Sequence, residues 1–301
     1  MPTNFLDLAR RGKNEWWRYA YSTILLLFFW IGGSIPLVGL LIAGDQLGGV
    51  SRLGVDPNTG QIVGAAPLLL VTILLLSFLP LLVGLLLVVR FIHQRPVTSL
   101  ITPFARIDWK RMAVGFLAFG ALVGLACLVE SLLYPGRYRF SFDPLEMLKF
   151  IPVVLILVPL QAATEELLIR GYIMQGLGLL TRRAWIPVVV SSLVFMLLHI
   201  SNPEAQVDTL ISLGGYLAVA LLLALVTIKD NCLELAIGMH IANNIFVLVV
   251  NNAVSALPVP SVFTVATLDA GYNLVSTIVV GVIFYAGLHY FLRLELSAEM
   301  V

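Results

Sequence analysis

Two adjacent carboxylates interrupt an apolar stretch of the sequence. Glu165 and Glu166 lie in the run between Phe150 and Leu180, and Arg170 follows about one helical turn after Glu166. Ionisable side chains at membrane depth are costly, so their presence indicates a functional site. A carboxylate in apolar surroundings without a cationic partner is suited to take a proton from water, as a general base does.

Helix geometry separates the two glutamates. A helix turns by roughly 100° per residue, so Glu166 and Arg170 share a face while Glu165 is rotated roughly 140° from Arg170. We therefore predict a structural ion pair between Glu166 and Arg170, which lowers the cost of burying both charges. Glu165 is predicted to project into a cavity instead.

Two later apolar stretches each carry a histidine with a partner at helical spacing. His199 follows Phe195 by four residues, and His240 precedes Asn244 by four. This spacing places each pair on one helix face. An imidazole can orient a water or donate to a developing oxyanion, and an asparagine amide is a neutral donor for the same task. With Glu165, these groups are sufficient to hydrolyse a peptide bond.

Other interpretations of the same residues remain open. Glu165, His199 and His240 could together hold a zinc ion, although the HExxH spacing is absent and the favoured scheme needs no metal or cofactor. His240 and Asn244 could instead form hydrogen bonds that join helices. Asn243 is interpreted as a bystander.

The elements that position these residues are predicted to be membrane-spanning helices. The chain is 59% hydrophobic and 12% charged, which is roughly half the charged fraction of a soluble domain. Several apolar runs reach the roughly 20 residues that a helix needs to cross a bilayer. The sequence predicts an all-α, polytopic transmembrane helical bundle of about eight helices. The predicted spans are residues 19–43, 66–89, 112–134, 150–177, 184–200, 210–228, 232–252 and 272–292.

The predicted spans divide the chain into three parts. Residues 1–147 form an N-terminal tail and three transmembrane helices, residues 148–252 form a catalytic core of four helices, and residues 253–301 form a loop and the last helix. The net charge of +1 gives no indication of a nucleic-acid partner. The expected partners are the lipid bilayer and a peptide or protein substrate, and the sequence does not specify an oligomeric state.

Basic residues cluster in alternate loops, which predicts the orientation. Lys and Arg are concentrated in the N-terminal tail, in residues 90–111 and in residues 178–183. The positive-inside rule makes these segments and both termini cytoplasmic. His199 is then predicted near the non-cytoplasmic end of its span. Residues 4–18 form either a basic helix on the membrane surface or a charged tail.

The polar residues, taken in order, resemble a known family. Three motifs in separate apolar spans resemble the three ordered motifs of the CAAX protease and bacteriocin-processing family, which includes type II CAAX prenyl endopeptidases. The resemblance covers roughly residues 161–247. The motifs are Glu165-Glu166-xxx-Arg170, Phe195-xxx-His199 and His240-xxx-Asn244.

The resemblance implies a role for each motif residue. It assigns Glu165 to water activation, His199 to positioning that water, and His240 with Asn244 to stabilising the oxyanion. The supporting residues it implies are Glu166, Arg170 and Phe195.

The function that follows is an intramembrane endopeptidase in a prokaryotic cytoplasmic membrane. Its substrate is expected to be a membrane-associated peptide or protein, with or without a lipid. Two alternatives belong to other classes: a non-catalytic bacteriocin-immunity or scaffold protein, and a transporter, which usually has repeated halves or broken helices.

Overall fold

The fold is a bundle of helices that follows the predicted spans. The computed structural model describes residues 4–47, 54–55, 62–252, 255, 257, 259–265 and 267–298. Residues 1–3 and 299–301, which the sequence assigns to the two tails, lie outside the described residues. Within the described ranges, strands are short and helices dominate, so the all-α prediction is confirmed.

Several helices are interrupted by π-helical turns. α1 consists of Trp16–Leu27, the π turn Phe28–Gly32 and Gly33–Leu47. α2 consists of Pro67–Leu76, Phe78–Leu87 and the π turn Val88–Ile92. α4 consists of Pro144–Glu166, the π segment Leu167–Met174 and Gln175–Gly178. The remaining helices are α3 (Trp109–Leu133), α5 (Trp185–Leu198), α6 (Thr209–Asp230), α7 (Glu234–Ile245) and α8 (Ala270–Ala298).

Two of the predicted spans are shorter helices than expected. Among the described residues, six helices are long and apolar enough to cross a membrane, but α5 has 14 residues and α7 has 12. α5 ends because His199 leaves helical geometry, and a 3₁₀ turn at Phe246–Leu248 ends α7 before a strand begins at Val250. The predicted limits 184–200 and 232–252 were therefore too wide.

Aspartates begin three of the helices. The side chains of Asp108, Asp143 and Asp208 accept hydrogen bonds from backbone N–H groups in the first turns of α3, α4 and α6. These bonds satisfy donors that have no partner within the helix. The helix starts are thus fixed by local sequence rather than by apolar periodicity.

The backbones of α3 and α7 approach closely through two glycines. A Cβ atom on Gly115 would overlap the carbonyl oxygen of Leu235, and one on Gly238 would overlap that of Met112. Small residues permit such close approach between helices in a membrane. This contact fixes the position of α7, which carries His240.

Two small sheets join loops at one end of the bundle. The strands are β1 (Gly54–Val55), β2 (Ile62–Val63), β3 (Tyr138–Phe140), β4 (Val250–Asn252) and β5 (Phe263–Val265). β5 pairs antiparallel with β3 and parallel with β4, while β1 and β2 pair antiparallel with each other. The segments that follow α3 and α7 are thereby held together at this end.

The N-terminal segment packs on the opposite end of the bundle. Residues Phe5–Arg11 form a 3₁₀ helix whose Phe5 and Leu8 side chains are completely buried. The Phe5 N–H donates to Asn231 Oδ1 at 2.7 Å, and Asn231 ends α6 in the left-handed conformation. Because protein covers the apolar face of this segment, the alternative of a helix lying on the membrane surface is wrong here.

Candidate active site

The predicted catalytic residues share one cavity. A cavity of about 720 Å³ is lined by Glu165 of α4, His199 after α5, and His240 and Asn244 of α7, and it also contacts the segments that follow α5 and α7. It therefore lies toward the end of the bundle that carries β3, β4 and β5.

Glu166 and Arg170 form the ion pair that the helical spacing predicts. Arg170 Nη1 lies 2.7 Å from Glu166 Oε1, and both side chains are fully buried. Arg170 Nη2 also donates to the backbone carbonyl of Ala220 in α6 at 2.9 Å. This pair neutralises both charges and ties α4 to α6.

Glu165 points into the cavity, as predicted. Its Oε1 accepts a hydrogen bond from Gln161 Nε2 at 2.6 Å, and its Oε2 lies 3.6 Å from His240 Nε2. Within the described part of the chain, Oε2 has no hydrogen-bond donor. Oε1 is thus held by Gln161, while Oε2 is enclosed by protein without a hydrogen-bond donor among the described residues, and the residue as a whole lines the cavity.

His240 lies between the two glutamates. Its Nδ1 is 2.8 Å from Glu166 Oε1, and an ionised carboxylate only accepts, so Nδ1 carries the hydrogen of that bond. Nε2 is therefore the ring atom directed toward Glu165. A neutral His240 accepts a hydrogen bond at Nε2, and only the doubly protonated ring donates there.

His199 is held by stacking and by one backbone bond. Its ring lies 4.3 Å from that of Phe195 and 4.7 Å from that of Tyr216, measured between centroids. Its Nδ1 donates to the Phe195 carbonyl oxygen at 2.8 Å. A backbone carbonyl only accepts, so Nε2 of a neutral His199 is an acceptor, suited to orient a water.

Phe195 links the three motifs by packing. The Arg170 guanidinium lies 4.9 Å from the Phe195 ring centroid, and the His240 ring lies 5.9 Å from it in an edge-on arrangement. Since Phe195 also stacks on His199, it contacts one residue of each motif. Its ring supports the site by packing, and its backbone carbonyl accepts the hydrogen bond from His199 Nδ1.

Comparison with known proteins identifies the part of the chain that holds this site. Residues 147–246 match the family model described as type II CAAX prenyl endopeptidase Rce1-like. This segment is similar to an Rce1-like domain. The chain is also 28% identical over 281 residues to the uncharacterized protein YyaK of Bacillus subtilis (strain 168), with 91% of each chain covered. No solved structure matches the chain.

The matched segment contains the whole predicted site, from Glu165 to Asn244. The similarity supports an intramembrane endopeptidase in general. Together with the six long apolar helices, it indicates an integral membrane protein. YyaK is uncharacterized and therefore indicates no activity.

The structure also places residues in the site that the sequence did not predict. Gln161 donates to Glu165 and accepts from Asn244 Nδ2 at 2.9 Å, and its position four residues before Glu165 was a signal for it. Asn243, interpreted as a bystander, lines the cavity and donates to Asn244 Oδ1 at 3.1 Å. Tyr216 lies in an apolar stretch that gave no signal.

The alternative zinc site finds no ligand cluster. Across the described ranges, no three His, Cys, Asp or Glu side chains are grouped so that they could hold a metal ion, and this includes Glu165, His199 and His240. Cys127 and Cys232 are free thiols on different elements.

Proposed function

We propose that the chain is a glutamate-dependent, metal-independent intramembrane endopeptidase with Glu165 as the general base. The main support for this proposal is the difference between the surroundings of Glu165 and those of Glu166. Glu166 is fully buried and paired with Arg170, whereas Glu165 lines a cavity shared with two histidines and an amide, with His240 Nε2 3.6 Å from its Oε2. Such a carboxylate is available to accept a proton.

The proposed reaction is the addition of water across a peptide bond. Glu165 takes a proton from water while the water oxygen bonds to the carbonyl carbon, which converts the carbonyl oxygen to an oxyanion. The C–N bond then breaks, the proton held by Glu165 passes to the leaving nitrogen, and the carbonyl oxygen regains its double bond. The products are a carboxylic acid and an amine.

The other three residues act on the water and on the oxyanion. His199 accepts a hydrogen bond from the water through Nε2, because its Nδ1 is occupied by the Phe195 carbonyl. Asn244 Nδ2 has a second hydrogen beyond the one it gives to Gln161, and that hydrogen is available to the oxyanion. His240 adds a charged donor when both ring nitrogens are protonated, with the Glu165 and Glu166 carboxylates beside it to balance the charge.

The proposed substrate is a membrane-associated peptide or protein, with or without a lipid. Apolar side chains such as Phe78, Phe119 and Val280 line the same cavity as the polar site, so it suits a substrate that enters from the bilayer. We infer a prokaryotic cytoplasmic membrane with both termini cytoplasmic. The proposal includes no nucleic-acid partner, and no cofactor enters the scheme.

A peptidase assay on the purified protein tests this function. Wild type and Glu165→Gln would be placed in nanodiscs with fluorogenic peptides that end in a CaaX sequence, each made with and without a farnesyl group. We expect cleavage by wild type alone, unchanged by a zinc chelator. Cleavage that chelation abolishes and zinc restores would overturn the metal-independent scheme. Equal cleavage by both variants would exclude Glu165 as the base.

A further inference from the structure

A buried glutamine bridges the base and the oxyanion donor. Gln161 is 8% exposed, and both ends of its amide are used. Its Nε2 donates to Glu165 Oε1 at 2.6 Å, and its Oε1 accepts from Asn244 Nδ2 at 2.9 Å. Asn243 Nδ2 in turn donates to Asn244 Oδ1 at 3.1 Å. A chain of hydrogen bonds therefore connects Asn243 and Asn244 of α7, through Gln161, to the Glu165 carboxylate on α4.

The negative charge on Glu165 fixes which group donates and which accepts in each hydrogen bond of this chain. An ionised carboxylate only accepts, so Gln161 must present its NH₂ group to Glu165 and its oxygen to Asn244. Asn244 must then turn its own NH₂ group toward Gln161 and its oxygen toward Asn243. Hydrogen bonds in such a chain polarise one another. The amide of Asn244 is thus held with its donor side toward α4 rather than flipped.

We propose that Gln161 is a positioning residue that couples the orientation of the Asn244 donor to the charged state of Glu165. This inference rests on the proposed function, because it assigns Gln161 to the same reaction. Gln161 does not exchange a proton with substrate. It holds two reacting groups from different helices at a fixed separation, and a displacement of about 1 Å in such a group can cost about 100-fold in rate.

Other charged or titratable groups surround the same carboxylate. His240 lies against Glu165 from α7, while Glu166 and Arg170 share α4 with it. The same cavity is also lined by His199 and Glu204, which follow α5, by Tyr216 of α6 and by Glu130 of α3. All of them are retained when Gln161 is replaced. If substitution of Gln161 alone changes the pH dependence of kcat, the change can therefore be assigned to the two hydrogen bonds of Gln161, which we call the bridge.

Two substitutions of Gln161 distinguish positioning from simple packing. Gln161→Met keeps the length of the side chain and removes both hydrogen bonds, so kcat should fall by about 10- to 100-fold with KM changed less than about twofold. Gln161→Glu can both donate and accept only when the new carboxyl is protonated. The ratio of its kcat to that of wild type should therefore rise as the pH is lowered.

Gln175 supplies the matched control. It is a fully buried glutamine later in α4 that accepts from Arg95 and donates to the Ser99 carbonyl, and it does not line the cavity. Gln175→Met should lower the melting temperature but leave the pH profile of kcat with its wild-type shape. If Gln175→Met changed that profile as Gln161→Glu does, the effect would not belong to the bridge, and the proposal would fail.

A thermal double-mutant cycle separates this proposal from the proposed function. The melting temperatures of Gln161→Met, Asn244→Ala and the double variant should be non-additive, because the first substitution already breaks the bond that the second removes. Additive losses of melting temperature, or a Gln161→Met variant with the kcat of wild type, would overturn the positioning role of Gln161. Neither result would contradict the proposed peptidase activity. A wild type that cleaves nothing would overturn the proposed function, and the positioning role with it, even if the cycle showed coupling.

Discussion

At the scale of single residues, Glu165 and Glu166 differ in the groups that compensate their negative charge. Glu166 contacts both Arg170 and His240, whereas Glu165 has only an amide donor and a histidine at 3.6 Å. A buried ion pair adds little stability over apolar packing, but removing one partner leaves an uncompensated charge. The two positions should therefore respond differently to substitution.

Glu166→Ala should unfold the protein more easily. It leaves the fully buried Arg170 without its carboxylate, which we expect to lower the free energy of unfolding by about 3–5 kcal/mol. Glu146→Ala is the control, since Glu146 pairs with Lys149 on an exposed surface where such pairs contribute little to stability. Denaturant titration in mixed micelles measures both. Equal stability of the two variants would contradict the role assigned to Glu166.

His93, beyond the end of α2, should make stability depend on pH. It is 1% exposed, its Nδ1 donates to the Lys13 carbonyl, and Tyr172 lies beside its Nε2. Burial lowers the pKa of His93 below its ordinary value, so the unfolded chain takes up the proton first as pH falls. The contribution of His93 is therefore fully present above about pH 6.5 and is lost as pH falls through the folded pKa.

Melting curves of wild type and His93→Gln from pH 8 to pH 5 test this. A glutamine can donate and accept as the neutral imidazole does, but it does not titrate. We expect the variant to lose less melting temperature than wild type below pH 6.5. Parallel curves would show that His93 is not the titrating group.

Residue chemistry was the part of the site that the sequence predicted best. Spacing of four residues predicted the Glu166–Arg170 pair and the different surroundings of Glu165, because both depend only on helix rotation. The links between helices were not predictable in this way. The contact of His240 with Glu166 and the bridge through Gln161 depend on how α4 and α7 pack, which no local spacing encodes.

At the scale of elements, the close contact of α3 with α7 sets the position of His240. Gly238 lies two residues before His240 and directly against the α3 backbone. Gly238→Ala should push α7 away from α3, and we expect a loss of turnover of 10-fold or more with a lower melting temperature. Activity and melting assays of the purified variant measure both effects.

Gly120→Ala is the control for this helix pair. A Cβ atom on Gly120 would lie 3.7 Å from the Cβ of Ala242, which is an ordinary contact. Replacing a helical glycine by alanine without a clash stabilises by about 0.4–1 kcal/mol. Gly120→Ala should therefore keep full activity. If Gly238→Ala behaved in the same way, the close approach would not matter for the site.

The limits of the elements were only partly predictable. Apolar runs located every described helix, but the ends of α5 and α7 depend on His199 leaving the helix and on the strand at Val250. The strand exists because it pairs with β5, a partner distant in sequence. The buried N-terminal segment Phe5–Arg11 also depends on tertiary contacts, so its charges alone suggested a location at the membrane surface.

At the scale of the whole molecule, the orientation in the membrane decides which compartment the cavity faces. The loops alternate between two ends of the bundle, and the end rich in Lys and Arg is opposite to the one that carries the sheet. The positive-inside rule then predicts that the cavity faces the non-cytoplasmic side.

Cysteine labelling in intact cells tests this orientation. Arg182→Cys and Val207→Cys both introduce thiols at exposed positions on opposite ends, in a background where Cys127 and Cys232 are replaced by alanine. A membrane-impermeant maleimide added outside should label only Val207→Cys. Labelling of Arg182→Cys alone would reverse the topology.

The central claim is Glu165-dependent cleavage of a peptide in the membrane. The most direct measurement compares, by mass spectrometry, the membrane peptides of cells that express wild type, Glu165→Gln or no protein, with isotope-labelled standards for abundance. Gln keeps the size of the side chain and removes the base, so the variant should fold and accumulate normally. We expect cleavage products with wild type only. Identical profiles for wild type and Glu165→Gln would contradict the account and favour a binding or immunity role.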